Sequence, residues 1–302
     1  MAIKTVAVIG ASGNIGAPIV KSLLEAGFKV TAITRESSTS TFPEGVEVRK
    51  TDLASIESVT KAFAGQDAVI STIASAEIGN QNIFADAAIA AGVKRYIPSE
   101  FGHNSRPGKL QGPAAALLAG KTKAVDYLIE QAKTHPEFTW TGVSTSPFFD
   151  WGLDMGVFGI DFKNKTARIF DSGNQPASAC TLAFVGEATV AVLQHEEETA
   201  NKYIEVAEFQ VTQNQIIAIL EEESGAKFTV SREKTSDLAR IGLEKISRGE
   251  YHASFLDILQ SITFVDGAPY AIPDDVLANK TLGLQSRDLR DVLKDYVKSR
   301  SS

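Results

Sequence analysis

The chain has one cysteine among its 302 residues and no cluster of basic residues. Cys180 cannot form an internal disulfide or build a cysteine-based metal site, and a lone thiol suits a reducing compartment. Thirty basic against 37 acidic residues leave a formal charge of -7, so nucleic acid is a poor candidate partner. The four histidines are scattered without metal-ligand spacing, which argues against a metal site.

The sequence also lacks long apolar runs. No segment approaches the roughly 18 consecutive apolar residues of a membrane span, and the stretch Ile3 to Ile9 is too short for a signal peptide. We therefore expect a cytoplasmic protein without membrane contact. The hydrophobic share of 43% and the charged share of 22% are those of an ordinary folded protein.

Short β-branched segments alternate with helical patterns through the first half of the chain. This is the βαβ rhythm of a doubly wound parallel sheet, a Rossmann-type α/β fold. After Trp151 the rhythm loosens into isolated strands and helices. We expect an NAD(P)-binding domain over residues 1–155 and a smaller substrate-binding region over 156–302, with an interleaving of the two left open. In the second half, Thr212 and Gln215 have the spacing of a capping box at a helix start.

The strongest local signal is GASGNIG, residues 10–16, which follows an apolar strand and opens a helix. In this pattern Gly10 permits a tight turn, Gly13 lets the backbone approach a pyrophosphate, and Gly16 lets the helix pack closely on the strand. Free amides at the helix start then face the phosphates, which favours a dinucleotide site over a ligand-free turn. The same predicted site includes Ser12, Asn14 and Ile15 of the loop, and Thr72 and Ala74 at the end of the fourth predicted strand.

Arg35 ends the second predicted strand, where such sites contact the adenosine ribose. A guanidinium there favours the 2'-phosphate of NADPH, whereas the neighbouring Glu36 is able to take the ribose hydroxyls of NADH. Asp52 closes the third predicted strand and either approaches the adenine or caps the next helix. We expect NADPH as the cofactor.

No tyrosine is followed by lysine in the Tyr-x-x-x-Lys spacing of common short-chain dehydrogenases, so a phenolate mechanism of that type is disfavoured. Lys121 and Lys123 lie at the start of a predicted helix, where a positive charge opposes the helix dipole and indicates function rather than stability. The preceding stretch, residues 102–120, is rich in glycine and proline and is predicted to be a functional loop near the site.

An aromatic-rich segment follows the sixth predicted strand, at the carboxyl edge where doubly wound sheets bind ligands. It suits a flat apolar substrate. The predicted substrate contacts are Phe101, Phe149, Trp151 and Met155. Three residues of a later helix either close the other side of the site or belong to the core: Phe255, Leu256 and Leu259. At the rim, Glu100 is interpreted as structural and held by backbone amides, and His103 as a substrate contact rather than a catalyst.

GASGNIG, the run from Ala91 to Gly102 and a lysine after the loop together resemble the isoflavone reductase-like family, a group of NmrA-like atypical short-chain dehydrogenases. The most specific piece is the sequence Pro-Ser-Glu-Phe-Gly at residues 98–102. The resemblance implies an NADPH-dependent reductase of a small phenylpropanoid- or isoflavonoid-like aromatic compound. It assigns the role of general acid or base to Lys121, with Lys123 as the alternative, and places Phe148 beside the nicotinamide.

The sequence departs from the family at three points. Ser146 stands where the family commonly has Asn, Asp150 replaces a glycine, and residues 37–41 hold no second basic group for the 2'-phosphate. Two alternatives therefore stay open, a non-catalytic NmrA-like sensor that binds the dinucleotide and an NADPH-dependent quinone or carbonyl reductase. The exact substrate and a homodimeric state are not decided by the sequence.

Overall fold

The computed structural model describes residues 2–73, 81–109, 115 and 118–300. The described strands are β1 Thr5–Ile9, β2 Lys29–Arg35, β3 Val46–Thr51, β4 Ala68–Ser71, β5 Arg95–Ile97, β6 Thr139–Ser144, β7 Ile160–Asp161, β8 Thr166–Phe170, β9 Ala177–Ala179, β10 Lys202–Glu205, β11 Phe209–Val211 and β12 Thr229–Glu233. The described helices are α1 Gly16–Glu25, α2 Ile56–Phe63, α3 Gln81–Ala90, α4 Ala119–Thr134, α5 Phe149–Asp154, α6 Leu182–Gln194, α7 Glu196–Thr199, α8 Gln213–Ser224, α9 Thr235–Ser247, α10 Tyr251–Thr263 and α11 Leu289–Arg300.

Seven strands form one parallel sheet in the order β10-β6-β5-β4-β1-β2-β3. Side chains of β1 alternate between its two faces, so Val6 and Val8 pack with α1 and α6, whereas Ala7 and Ile9 pack with α2, α3 and α4. The predicted doubly wound α/β fold is confirmed. The chain order reverses between β1 and β4, and folds of this type bind ligands in the crevice at the carboxyl ends of those strands.

The second half of the chain contributes to both parts of the molecule. β10 extends the large sheet beside β6, and α6 packs so closely on α1 that a Cβ atom on Gly186 would lie 2.3 Å from the Ser22 hydroxyl. The remaining elements form the three-stranded sheet β12-β8-β7, the two-stranded sheet β11-β9 and the helices of a second apolar core. Residues beyond 155 therefore supply a strand of the seven-stranded sheet and a helix that packs on it.

Local sequence signals explain several helix ends. The side chain of Thr212 accepts a hydrogen bond from the Gln215 amide, and the side-chain oxygen of Gln215 accepts one from the Thr212 amide, so the predicted capping box is confirmed. The same helix, α8, ends at Gly225, which has a positive φ of 67° that glycine adopts without strain. Among the described helices, none has both the length and the apolar character that crossing a membrane requires.

Candidate active site

The glycine loop between β1 and α1 is closed by backbone contacts that leave no room for side chains. Gly10 has φ +78°, and a Cβ atom there would lie 2.7 Å from the Thr72 carbonyl oxygen. A Cβ atom on Gly16 would lie 2.2 Å from the Gly10 carbonyl oxygen, so close packing of helix on loop needs this glycine. No side chain caps α1 at Ile15. The amides of Ala17 and Ile19 donate to backbone carbonyl oxygens and Pro18 has no amide hydrogen, so the amides left available at this helix start are those of Ile15 and Gly16. This geometry suits the pyrophosphate of a dinucleotide.

The loop after β2 forms the next part of the site. Arg35, Ser38 and Ser40 line the cavity, and the hydroxyls of Ser40 and Ser12 are hydrogen-bonded at 3.1 Å. Lys50 of the neighbouring strand donates from Nζ to the Ser38 carbonyl oxygen at 2.8 Å. Residues 37–41 hold no basic group, and Lys50 lies outside that stretch because it comes from β3, where it pairs in register with Thr34.

Asp52 does not join this part of the cavity. Its side chain is exposed and accepts a hydrogen bond from the Ala54 amide at 3.0 Å, while Leu53 and Ala54 line the cavity beside it. The expectation that Asp52 caps the next helix is wrong, because the N-cap of α2 is Ser55, whose hydroxyl accepts a hydrogen bond from the Ser58 amide at 3.2 Å, and Asp52 instead closes the turn before it. Thr72 lines the cavity and donates its hydroxyl to the Ile9 carbonyl oxygen, whereas Ala74 lies outside the described residues.

Lys121 lies in the first turn of α4 with its side chain in the cavity and only 6% of the residue exposed. Its Nζ donates to the Phe101 carbonyl oxygen at 2.9 Å, and no described carboxylate lies within ion-pair distance of it. Burial lowers the pKa of Lys121, and the negative charge of Glu100 opposes that shift. Lys123, in the same turn, is exposed to solvent. Only Lys121 of this pair is therefore placed to act as a general acid or base.

Glu100 is a fully buried acid near Lys121. Its Oε2 accepts hydrogen bonds from the hydroxyls of Ser105 and Tyr203, the latter at 3.0 Å, and its Oε1 is enclosed without a partner in the described part of the chain. Burial raises the pKa of Glu100, and the charge of Lys121 opposes this. The expectation that backbone amides hold Glu100 is wrong, because side-chain hydroxyls from its own loop and from β10 do so.

His103 lines the cavity two residues after Phe101. Its Nε2 lies 3.0 Å from the Thr263 hydroxyl, and its ring centroid lies 4.9 Å from that of Tyr270. Burial, together with the charge of Lys121, lowers the pKa of His103 to about 4. The imidazole is therefore neutral at physiological pH.

The far end of the cavity is apolar. Phe148 and Trp151 stand edge to face with ring centroids 6.3 Å apart, next to Val157. One face of α10 supplies the opposite wall, with a spacing of three or four residues that keeps its side chains together: Phe255, Ile258, Leu259 and Ile262. Phe255 and Leu259 thus line the cavity, whereas Leu256 does not, and both leucines pack against the second core. The sequence had left these assignments open.

Two of the predicted substrate contacts lie elsewhere. Phe149 is fully buried in the second core, where it packs on Phe158 and Phe209 with ring centroids 5.1 and 4.9 Å away. Met155 follows α5 and is 55% exposed outside the cavity lining. The prediction of both as substrate contacts is wrong, because α5 begins at Phe149 and turns successive side chains to different sides. Phe101 and Trp151 line the cavity as expected.

One cavity of about 890 Å³ joins the glycine loop, the Arg35 loop, Lys121 and the apolar wall. Its described lining carries two cationic side chains, Arg35 and Lys121, and no carboxylate. A cavity with backbone amides and a guanidinium at one end and aromatic rings at the other has room for an anionic dinucleotide together with a flat apolar molecule.

Comparison with known proteins agrees with this geometry. The model of the NmrA-like family matches residues 2–257. The oxidoreductase aprR of Aspergillus flavus is 33% identical over 301 residues, which cover 99% of this chain and 100% of that protein. An isoflavone reductase structure has a TM-score of 0.78 at 21% identity and covers 98% of this chain and 100% of its own. The structure of AtPrR2 with NADP+ and (+)-pinoresinol has a TM-score of 0.78 at 19% identity, covering 98% and 99%.

The family resemblance seen in the glycine loop and in the Pro-Ser-Glu-Phe-Gly segment is confirmed by these matches, which extend over most of the chain. The full-length relative carries the name of an oxidoreductase, and the isoflavone reductase structure shares the fold. The chain is an oxidoreductase that belongs to the NmrA-like family.

Proposed function

We propose that this oxidoreductase is an NADPH-dependent reductase of a small aromatic compound that is phenylpropanoid- or isoflavonoid-like, with Lys121 as general acid or base. The observation that carries the proposal is the buried Lys121 amine, which has no carboxylate partner among the residues that the structure describes and opens onto the cavity that also holds the glycine loop and the aromatic wall. The AtPrR2 structure with NADP+ and (+)-pinoresinol, which has the same fold, supports this pairing of ligands.

The chain offers a group for each part of the cofactor. The backbone of the glycine loop and the free amides of α1 suit the pyrophosphate. Arg35, with Lys50 and the hydroxyls of Ser38 and Ser40 nearby, suits the 2'-phosphate, and Phe148 suits contact with the nicotinamide. When bound, NADPH supplies the hydride.

Lys121 handles the proton. Because burial lowers the pKa of Lys121, a larger fraction of Lys121 than of a free lysine is a neutral amine at a given pH. This neutral amine accepts the proton of a phenolic hydroxyl. In the opposite direction the ammonium protonates a developing oxyanion. The Phe101 carbonyl oxygen fixes the position of Nζ, and the aromatic wall excludes water from it.

The test is the substitution Lys121→Ala, with Lys123→Ala, two residues further along the same helix, as the matched control. NADPH oxidation is followed spectrophotometrically with a panel of phenolic and isoflavonoid compounds. We expect Lys121→Ala to lower kcat by a factor of about 10² to 10⁴ and to leave NADPH affinity unchanged in calorimetric titrations. Lys123→Ala keeps wild-type turnover, because its side chain lies in solvent.

The pH profile gives a second readout. As a base, Lys121 acts only after losing its proton, so kcat/KM rises as pH rises through the pKa of Lys121, which lies below the value of about 10.4 for free lysine. The rise is absent in Lys121→Ala. Turnover that survives in Lys121→Ala removes the lysine from the mechanism. A protein that binds NADP+ far more tightly than NADPH and oxidises NADPH with no compound is a sensor instead.

A further inference from the structure

We propose that His103 selects substrates that carry a hydroxyl group, because it presents the lone pair of its Nδ1 to the cavity as a hydrogen-bond acceptor. The proposal rests on the proposed function, since it concerns the substrate of the same reductase site. It names one recognition element for that substrate: an aromatic compound with a free hydroxyl that donates to His103, in addition to the group that meets Lys121.

The hydrogen bonds of Thr263 fix the tautomer of His103. A threonine hydroxyl has one hydrogen, and that of Thr263 donates to the Leu259 carbonyl oxygen at 2.7 Å, one turn back in α10. The contact of 3.0 Å between the Thr263 hydroxyl and Nε2 of His103 then requires the histidine to donate. His103 therefore carries its proton on Nε2, and Nδ1 keeps an unshared electron pair.

No group in the described part of the chain donates to this lone pair. Among the described residues, the His103 side chain makes one hydrogen bond, from Nε2 to Thr263. Nδ1 has no partner there, yet it does not belong to the fully enclosed polar atoms without a partner, so it is accessible. Because His103 is otherwise buried and lines the cavity, the opening next to Nδ1 is the cavity itself.

Apart from hydroxyls, few side chains of the cavity lining can accept a hydrogen bond from a ligand. The described lining has no carboxylate, and its two cationic side chains, Arg35 and Lys121, are donors when charged. The hydroxyl of Ser99, on the same loop, already donates to the Ile73 carbonyl oxygen. Nδ1 of His103 is therefore an acceptor that the described lining leaves open to a ligand, and the low pKa of His103 keeps it unprotonated at physiological pH.

A ligand hydroxyl and its methyl ether differ in this environment. The hydroxyl satisfies a buried acceptor that otherwise stays unpaired, whereas the ether lacks the hydrogen and adds a methyl group at the same point. We therefore expect a preference of at least about tenfold for the hydroxyl form.

The experiment uses the full chain saturated with NADP+ and two probes, catechol and its monomethyl ether guaiacol. Both probes keep a phenolic hydroxyl for Lys121, so they differ only at the second oxygen. Binding is followed by quenching of tryptophan fluorescence, since Trp151 lines the cavity. The wild type is expected to bind catechol at least about tenfold more tightly than guaiacol, and His103→Phe to bind the two within about twofold of each other.

Two further variants complete the design. His135→Phe, at the C-terminal end of α4 and outside the cavity lining, is the matched control and keeps the wild-type preference because it makes the same substitution away from the cavity. His103→Gln returns an acceptor oxygen and is expected to recover part of the preference. The tautomer is read independently in the wild type by nitrogen-15 chemical shifts of labelled histidine, with His103→Phe identifying the signal. A proton on Nε2 with an Nδ1 that stays unprotonated down to about pH 5, and an Nδ1 signal that moves on addition of catechol, support the proposal.

The outcomes separate the inference from the proposed function. If the wild type binds catechol and guaiacol equally, or if His103→Phe keeps the preference, the inference is overturned and the reductase stands. A proton found on Nδ1 also overturns it. If neither phenol binds the NADP+ complex, the aromatic substrate of the proposed function fails and the inference fails with it.

Discussion

The two ends of the cavity are built in different ways. The end proposed for the cofactor, called the cofactor end, is mainly backbone from one short stretch of chain, residues 10–16. Its shape depends on glycines, which have no side chain. The substrate end is made of side chains from distant segments, and the bond between His103 and Thr263 spans 160 residues. Local sequence therefore determines the first end, whereas tertiary packing determines the second.

The largest expected effect is at the backbone-built end. In Gly16→Ala the new Cβ atom would lie 2.2 Å from the Gly10 carbonyl oxygen, and neither backbone can move without displacing the loop from α1. We expect the free energy of unfolding to fall by about 3 kcal/mol and NADPH binding to be lost. Denaturant unfolding and calorimetric titration measure the two quantities.

Gly27→Ala is the control for this change. Gly27 has φ +84° but no atom within 4 Å of the added Cβ, so alanine there introduces backbone strain of about 1 kcal/mol without a clash. NADPH affinity is expected to stay at the wild-type value. A Gly16→Ala protein that binds NADPH normally would show that side-chain contacts, not close backbone packing, shape the cofactor end.

The cofactor end was predictable because its signals are local. The order of strand, glycine loop and helix fixes where Gly10, Gly13 and Gly16 lie, and Arg35 follows from the end of the next strand. Lys50 was missed, since its contact with Ser38 depends on the pairing of β2 with β3 rather than on distance along the chain. A contact between neighbouring strands was therefore already beyond what the local sequence predicts.

The substrate end was predictable only in part. The aromatic composition after β6 correctly located a wall, but Phe148 and Phe149 point to different surroundings because the six-residue helix α5 begins between them. Helical spacing in α10 correctly indicated a common face for Phe255 and Leu259, yet periodicity alone does not say whether a face meets a cavity or a core. Those directions are decided by the packing of whole elements.

The next largest effect is expected from the side chains of the cofactor end rather than from its glycine backbone. Arg35→Met removes the guanidinium proposed for the 2'-phosphate, so we expect NADPH affinity to fall roughly tenfold to a hundredfold, with NADH affinity nearly unchanged. Lys50→Met removes an exposed cation that reaches the site through Ser38, so its effect is expected to be about threefold. Calorimetric titration with both cofactors measures the selectivity.

Lys61→Met is the control, because Lys61 is an exposed lysine of α2 that pairs with Glu57. It is expected to bind both cofactors as the wild type does. Equal losses of NADPH and NADH affinity in Arg35→Met would assign the arginine to another part of the dinucleotide.

The smallest expected effect is at the substrate end, where the backbone itself is strained. Ser146 lines the cavity and has φ 56°, a conformation that costs a serine about 1 to 2 kcal/mol. It is held there because the amides of Thr145 and Ser146 both donate to the Gly102 carbonyl oxygen, at 3.0 and 2.9 Å. Ser146→Gly relieves the strain but adds backbone entropy to the unfolded chain, so the net gain in stability is expected to stay below about 1 kcal/mol.

The same variant tests whether that strain serves the reaction. The turn that holds Phe148, the residue proposed to contact the nicotinamide, loses rigidity when glycine replaces Ser146, so kcat/KM for the proposed aromatic substrate is expected to fall several-fold while stability rises. Lys165→Gly is the comparison, since Lys165 has φ 53° in the turn between β7 and β8, outside the cavity, and its loss leaves kcat/KM unchanged. If kcat/KM is equally unaffected in Ser146→Gly, the strain at Ser146 only allows the chain to connect β6 to α5 and contributes nothing to the reaction. The glycine loop would then be the part of the site in which backbone rigidity matters.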